Sequence, residues 1–157
     1  MADYKPKQFY GTAQTVFNLA TDIAAGNFSA AGTDFDNTSD ASVPYATNAV
    51  AMIEIPDWAA APVAGTVVEL WGLMVDTDGT DDDTDAPATT ASGGARFLGA
   101  WVIAAADALQ RREIVIDLTG VRKFTPYVKN GTAQNMNNDG GTNMVVKITP
   151  FVVGVTV

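Results

Sequence analysis

The densest group of potential metal ligands in the chain is the aspartate run DTDGTDDDTD at residues 76–85. Carboxylate oxygens around a glycine bend are the hard ligands that Ca²⁺ prefers. The run departs from the EF-hand pattern in the position of its glycine and in having no bidentate Glu after it. A Ca²⁺ site is therefore one interpretation, and a solvated, self-repelling loop that discourages strand pairing is the other. No other cofactor is predicted, and the four predicted Ca²⁺ ligands are Asp76, Asp78, Asp81 and Asp83.

Residues able to catalyse a reaction are scarce. The chain has no His and no Cys, which removes Ser–His and Cys–His nucleophile pairs, histidine acid–base catalysis and the usual zinc, haem and iron–sulfur sites. A hydrolase would need a carboxylate pair such as Glu54 with Glu69, or Glu113 with Asp117. Carboxylates that alternate along strands ordinarily face solvent. We therefore predict that the protein is not an enzyme.

The charge balance restricts the partners. Acidic residues outnumber basic residues 18 to 9, and the net charge of −9 repels a phosphate backbone, so we expect no nucleic acid partner. No apolar run approaches the length of a membrane span, and the N-terminal MADYKPKQFYG lacks the apolar core of a signal peptide, so we expect no membrane partner. The negative charge is concentrated in the first half of the chain. Opposite patches can steer association of copies, or simply keep the protein soluble.

The tryptophans divide into two predicted roles. Trp71 and Trp101 lie in apolar strand sequence, which predicts core packing. Trp58 follows Pro56-Asp57 in a predicted loop, where it could serve as an interface anchor or ligand platform, or pack in the core or within the loop.

The first twelve residues are polar, with aromatic residues between them at Tyr4, Phe9 and Tyr10. Aromatic side chains are favoured at interfaces. We predict that residues 1–12 form an arm that reaches a neighbouring subunit, the alternative being a frayed terminus.

The composition favours strands, because Val, Thr and Ile are β-branched and together number 42 (17, 18 and 7) against 6 Leu. One helical turn is predicted at 105–110. With seven or eight short strands, long loops and no crossover helices, the chain is predicted to be all-β: one antiparallel, jelly-roll-like β-sandwich domain at 13–157. Apolar runs bounded by turn residues predict strands at 14–19, 49–55, 66–75, 96–104, 113–118, 124–129 and 144–157.

The predicted strand at 66–75 is apolar on both faces, since Val67, Trp71 and Leu73 alternate with Val68 and Leu70. An antiparallel sandwich usually leaves one polar face on each sheet. Something must therefore cover the second apolar face, either the chain's own loops or another subunit.

Several stretches carry a family resemblance: FNLA at 17–20, AAGNFS at 24–29, DFDN at 34–37, VAMIEI at 50–55 and AGTVVELW at 64–71. The endings YVKNGTA at 127–133 and VVKITPF at 145–151 agree. In strand order and loop composition the chain resembles small jelly-roll virion proteins of tailed bacteriophages, which decorate capsids or build head and tail appendages. The resemblance implies trimers, or copies bound at symmetry positions of a capsid.

The function that the resemblance implies is that of a capsid decoration, or cement, protein. It would be made in the host cytoplasm, bind the major capsid protein on the outside of the head, bridge neighbouring subunits and self-associate as a homotrimer or another homo-oligomer. Two alternatives stay open: a tail or fibre component of the same virion, and a Ca²⁺- or carbohydrate-binding sandwich module. Besides the arm and Trp58, the predicted contacts are the basic residues Arg111, Arg112, Arg122 and Lys123.

Overall fold

The computed structural model describes residues 5–75, 85–137 and 142–156. Within these ranges the chain is all-β and antiparallel. Its strands are β1 (Lys5–Tyr10), β2 (Gln14–Leu19), β3 (Phe35–Asp36), β4 (Asn48–Ile55), β5 (Asp57–Trp58), β6 (Val67–Val75), β7 (Arg96–Val102), β8 (Gln110–Asp117), β9 (Lys123–Asn130), β10 (Met136–Asn137) and β11 (Met144–Thr156).

Two sheets make the sandwich. One has the order β1-β11-β4-β8, with β2 also paired to β11, and the other has the order β3-β9-β6-β7. Without β1, β5 and β10, eight strands remain. Numbered along the chain, they stand in the order 1-8-3-6 in one sheet and 2-7-4-5 in the other, which is the jelly-roll arrangement. The two sheets meet where β7 lies beside β8.

Side-chain alternation explains how the sheets bury a common core. In β4 every second residue is buried, from Ala49 to Ile55, and the residues between them are half-buried on the outer face. The opposing sheet contributes Leu70 and Val128 among its fully buried residues. Trp101 joins the two layers, because its indole Nε1 donates to the backbone carbonyl of Ala51 at 3.0 Å.

All seven predicted strands are present, and β2 has the predicted bounds. The helical turn predicted at 105–110 is wrong, since this segment contains bends and no helix. Its conformation depends on the buried Gln110, whose side-chain amide donates to the carbonyls of Ala104 and Ala106 and accepts the amide of Ala104. The side chain of Gln110, at the start of β8, thus pairs with backbone groups that a helical turn would have paired with one another.

The predicted N-terminal arm also has a different structure. Residues 5–10 form β1, which pairs in register with β11 of the same chain from Lys5 opposite Thr156 to Tyr10 opposite Phe151. The described part of the arm is thus a strand of the sandwich sheet, paired along the end of the long strand β11. Tyr4 lies outside the described residues.

The second apolar face of β6 is covered, in part, by the chain's own loop. Phe28 packs edge-on against Trp71 with 5.7 Å between ring centroids, and both contact a small cluster with Leu73 and Tyr127. The Phe28 segment is held in place because the amide of Ser29 donates to the carbonyl of Val128 at 2.7 Å. The sequence allows either a loop of the same chain or another subunit to cover this face, and in this structure the loop covers part of it.

Candidate functional site

Three exposed apolar side chains lie on a two-stranded ribbon, defined here as residues 5–10 of β1 and 151–156 of β11. β4 accompanies β11 only as far as Asn48 opposite Phe151. Beyond that pair, β1 is the only strand that pairs with β11 among the described residues. The ribbon therefore extends past the end of the sandwich. An isolated two-stranded ribbon is marginally stable in water, and this one continues a larger sheet.

One face of the ribbon carries an exposed aromatic side chain held by its neighbours. Tyr10 is 54% exposed, its ring lies 5.5 Å from that of Phe151 on the opposing strand, and its hydroxyl donates to Oε1 of Gln8 at 2.6 Å. Val153, 59% exposed, is next on this face. These contacts present apolar surface to solvent in an ordered form.

The other face is built around Phe9, which is 40% exposed. Its ring lies so close to Gly154 that a Cβ at that position would stand 2.8 Å from Cε2 of the ring. A side chain at position 154 would therefore displace the ring of Phe9 from its place against the ribbon. Lys7 Nζ stands 5.3 Å from the centroid of the same ring, within cation–π range.

The root of the ribbon is anchored to the sandwich by a carboxylate. Asp40 accepts the amide of Thr12 at 2.5 Å, and the amide and hydroxyl of Ser42 at 2.8 and 2.5 Å. Hydrogen bonds from Ser42, first through its hydroxyl, and from Thr12 hold the pKa of Asp40 well below its usual range, because they stabilise the charged form. At the same point the amide of Gly11 donates to the carbonyl of Pro150 at 2.8 Å.

Trp58 is not the exposed platform that its place in the sequence suggests. It lies in β5, pairs with Met136 of β10 and is only 2% exposed. Its Nε1 has no hydrogen-bond partner among the described residues. Of the roles predicted for Trp58 the structure shows core packing, because the β5–β10 pair turns the indole into the core and leaves it too little exposed to anchor an interface.

A row of aromatic side chains on the outer face of the β6 sheet was not predicted. Trp71 stands between Phe28 and Phe97, edge to face with both, and its centroid is 5.5 Å from that of Phe97. Trp71 Nε1 donates to Glu69 Oε2 at 2.8 Å, which fixes the indole. Phe97 is 49% exposed. The two-residue alternation of side chains along a strand could have predicted this row, because it places Trp71 and Glu69 on the face opposite Leu70.

The four predicted basic contact residues do not form one cluster. Arg111 and Arg112 lie at the start of β8, whereas Arg122 and Lys123 follow its end at Asp117. Arg111 and Asp117 are six positions apart along the strand, a distance of about 20 Å. The chain therefore presents two basic pairs at opposite ends of the sandwich.

The pair at the start of β8 is engaged within the chain. Arg111 forms a salt bridge with Glu54 on the neighbouring strand, with Nε 2.9 Å from Oε2. Arg112 donates to the backbone carbonyl of Val102 at 3.1 Å, across the point where the two sheets meet. Arg112 thus has a structural contact that a sequence motif does not reveal.

The pair before and within β9 is also partly engaged. Lys123 Nζ lies 2.8 Å from Asp34 Oδ2, and Thr125 donates to the same carboxylate at 2.7 Å. Burial by itself raises the pKa of Asp34, but the hydrogen bonds from Lys123 and Thr125 and the charge of Lys123 outweigh it, so the pKa is lowered. Arg122 stands beside them and contributes charge near Asp36.

The carboxylate pairs considered for hydrolysis are not brought together. Glu54 and Glu69 lie on the outer faces of different sheets, where Glu54 pairs with Arg111 and Glu69 holds Trp71. Glu113 and Asp117 are four residues apart on β8, about 13 Å. Glycosidase carboxyls are separated by about 5–9.5 Å. Neither pair has that geometry.

The predicted Ca²⁺ ligands Asp76, Asp78, Asp81 and Asp83 lie outside the described residues. Among the residues that are described, no group of three or more acidic side chains is placed to hold a metal ion. The Ca²⁺ site remains a prediction from the sequence.

Comparison with protein-family models and with curated proteins finds no match to this chain. Within the described ranges, no helix has the length and apolar character needed to cross a membrane. The functional argument therefore depends on the surfaces described above.

Proposed function

We propose that this chain is a structural virion protein that decorates a bacteriophage capsid. It binds the outer surface of the shell through the ribbon and bridges neighbouring major capsid subunits. The role in a virion comes from the resemblance of strand order and loop composition. The observation that supports binding to another polypeptide is the ribbon itself, with Tyr10, Phe9 and Val153 exposed on an element that extends past the sandwich.

The physical case depends on how the ribbon presents apolar area. Ordered, exposed aromatic residues mark interaction sites, and Tyr is enriched among residues that dominate binding energy. Tyr10 and Phe9 are each held by a contact within the ribbon, so little conformational freedom remains to be lost on binding. Many equivalent sites on a shell would add avidity to a modest single contact.

The experiment is attachment to shells of the phage that encodes the chain, produced without it. A Phe9→Ala, Tyr10→Ala double variant should bind these shells at least about thirtyfold more weakly than wild type, since the loss of even one aromatic anchor costs about 2 kcal/mol. The matched control is Phe97→Ala, which removes a similarly exposed ring from the opposite sheet. Wild-type protein that does not attach to shells would refute the decoration role.

Location on the particle separates the proposed role from a tail or fibre component. Electron microscopy of the virion should place the chain on the capsid surface, at symmetry-related positions. Density at the tail alone would favour the tail alternative.

One observation favours a second candidate, a carbohydrate-binding module. The Phe28–Trp71–Phe97 row is an aromatic surface with Glu69 and Lys129 beside it, and Lys129 Nζ stands 5.4 Å over the Phe28 ring. Sugar rings stack on such surfaces while polar neighbours bind their hydroxyls. Binding on a glycan array that is lost in Phe97→Ala and kept in the Phe9, Tyr10 double variant would support this function.

A further inference from the structure

The ribbon has two edges, and the backbone pattern identifies which polar groups each one presents. The amide of Gly11 donates to the carbonyl of Pro150 directly opposite it, so this carbonyl and the N–H and C=O groups of Val152, Gly154 and Thr156 point toward β1. Val153 and Val155 lie between those positions. Their N–H and C=O groups point to the other edge, where no strand among the described residues pairs beyond Phe151.

The two edges differ in chemistry. The β11 edge has the sequence Val152-Val153-Gly154-Val155-Thr156, which carries no charge and is β-branched at every position except the glycine. The β1 edge contains Pro6, which lacks an N–H donor, between two lysines. Proline and lysine are the devices that protect an edge strand from pairing. One edge of the ribbon is thus closed, and the other is open.

We propose that a second copy of this chain pairs with the open edge of β11, antiparallel and about a two-fold axis at Gly154. Val153 of one copy then lies opposite Val155 of the other, and the converse, so that four backbone hydrogen bonds join the copies. The pairing goes beyond the proposed decoration role, because it requires no capsid.

A second copy fits this edge better than an unrelated strand because the edge is self-complementary. Reading outward from Gly154, the flanking residues are valine on both sides and then valine and threonine. A two-fold interface requires this kind of match. The closed β1 edge then ends the sheet at four strands, so that the copies form a dimer and not a filament.

Charge does not oppose the pairing at this edge. Residues 5–10 and 151–156 contain two lysines and no acidic residue. In the dimer those lysines lie on the outer strands, separated by three strand spacings, about 14 Å. That separation exceeds the Debye length of about 8 Å at physiological ionic strength.

The experiment measures self-association of the free chain, without shells. Sedimentation velocity over a concentration series should show a shift from 16.4 kDa toward twice that mass. Val153→Pro removes one donor from each copy, two of the four hydrogen bonds, and should weaken dimerisation about thirtyfold. The control is Gln8→Pro, the same change at an outward-pointing position of the β1 edge, which should leave dimerisation unchanged.

A second measurement does not depend on a variant that folds. In wild-type protein, hydrogen exchange at the amides of Val153 and Val155 should slow as concentration rises, while the amides of Val152 and Gly154 are protected at every concentration. A chain that stays monomeric, a dimer that persists in Val153→Pro, or a dimer whose Val153 amide exchanges freely would each overturn the proposal. Attachment to shells is measured in a separate experiment, so the dimer proposal and the decoration proposal can each be refuted without the other.

Discussion

Asn130 offers the sharpest test of how the loops are held to the sandwich. This residue is fully buried at the end of β9. Its side-chain amide donates to the carbonyls of Ile23 at 3.0 Å and Gln134 at 2.7 Å, and its Oδ1 accepts the amide and hydroxyl of Thr132 at 3.1 and 2.8 Å. One side chain thereby ties three segments together. We predict that Asn130→Ala destabilises the fold.

The expected loss in the free energy of unfolding depends on which hydrogen bonds the partners of Asn130 still make in the variant. The carbonyl of Ile23 still accepts the amide of Met136, and the hydroxyl of Thr132, which has one proton and loses Asn130 as its acceptor, donates to the carbonyl of Gln134 instead. Four lost hydrogen bonds at about 1 kcal/mol each, with two acceptors still partly satisfied, give a loss of about 3 kcal/mol in the free energy of unfolding. For a domain of this size that is a fall in melting temperature of roughly 6–12 °C.

The assay is urea unfolding followed by tryptophan fluorescence. The matched control is Asn143→Ala, which loses one exposed hydrogen bond, 2.8 Å long, to Asn18 and should cost less than about 0.5 kcal/mol. If Asn130→Ala costs no more than its control, the assignment of the buried amide as the tie between these segments is refuted.

Three further predictions concern the core, the ribbon root and close backbone approaches. Trp101→Phe should lower the free energy of unfolding by about 2 kcal/mol in the same urea assay, because it removes a hydrogen bond between the sheets and leaves a cavity; no change would contradict that bond. The pKa of Asp40 is lowered in the fold, so the stability it contributes is present above the ordinary carboxyl pKa of 3.8 and lost as pH falls below it. Melting temperatures from pH 5 to pH 2 should accordingly fall less steeply in Asp40→Asn than in wild type, and parallel curves would contradict this. Gly32→Ala would bring a Cβ to 2.5 Å from the backbone carbonyl oxygen of Val16 and should lower the free energy of unfolding by about 1–3 kcal/mol in the urea assay. In the control, Gly99→Ala, the Cβ meets a side-chain methyl that can move, so the loss should be smaller. Equal losses in the two variants would contradict this reasoning.

Much of the fold can be read from local patterns. The alternation in residues 48–55 and the apolar run at 144–156 are long enough to specify strands without tertiary information. The excess of β-branched residues and the absence of long helical periodicity exclude crossover helices, which leaves antiparallel sheets. The sandwich was predictable on these grounds.

The candidate sites were much less predictable, and two tryptophans show why. Trp58 sits in a short segment after a proline, where the sequence indicates a loop, yet pairing with Met136, 78 positions away, buries it. Trp71 sits in an apolar strand, where the sequence indicates core, yet alternation places it on the outer face beside Phe97. For Trp58 burial depends on a strand that is distant in sequence, and for Trp71 it depends on which of the two apolar faces of β6 packs against the other sheet.

The amino-acid sequence by itself determines that this chain forms antiparallel strands and that it lacks the histidine and cysteine most catalytic and metal sites require. Strand-forming preference and residue inventory are local properties, so no folding information is needed to read them. Only the tertiary structure decides that residues 5–10 complete a ribbon with 151–156, that no described strand pairs with one edge of it, and that the four basic residues form two separate pairs. Those outcomes depend on which strand lies beside which, and that choice is made by burial of one common core.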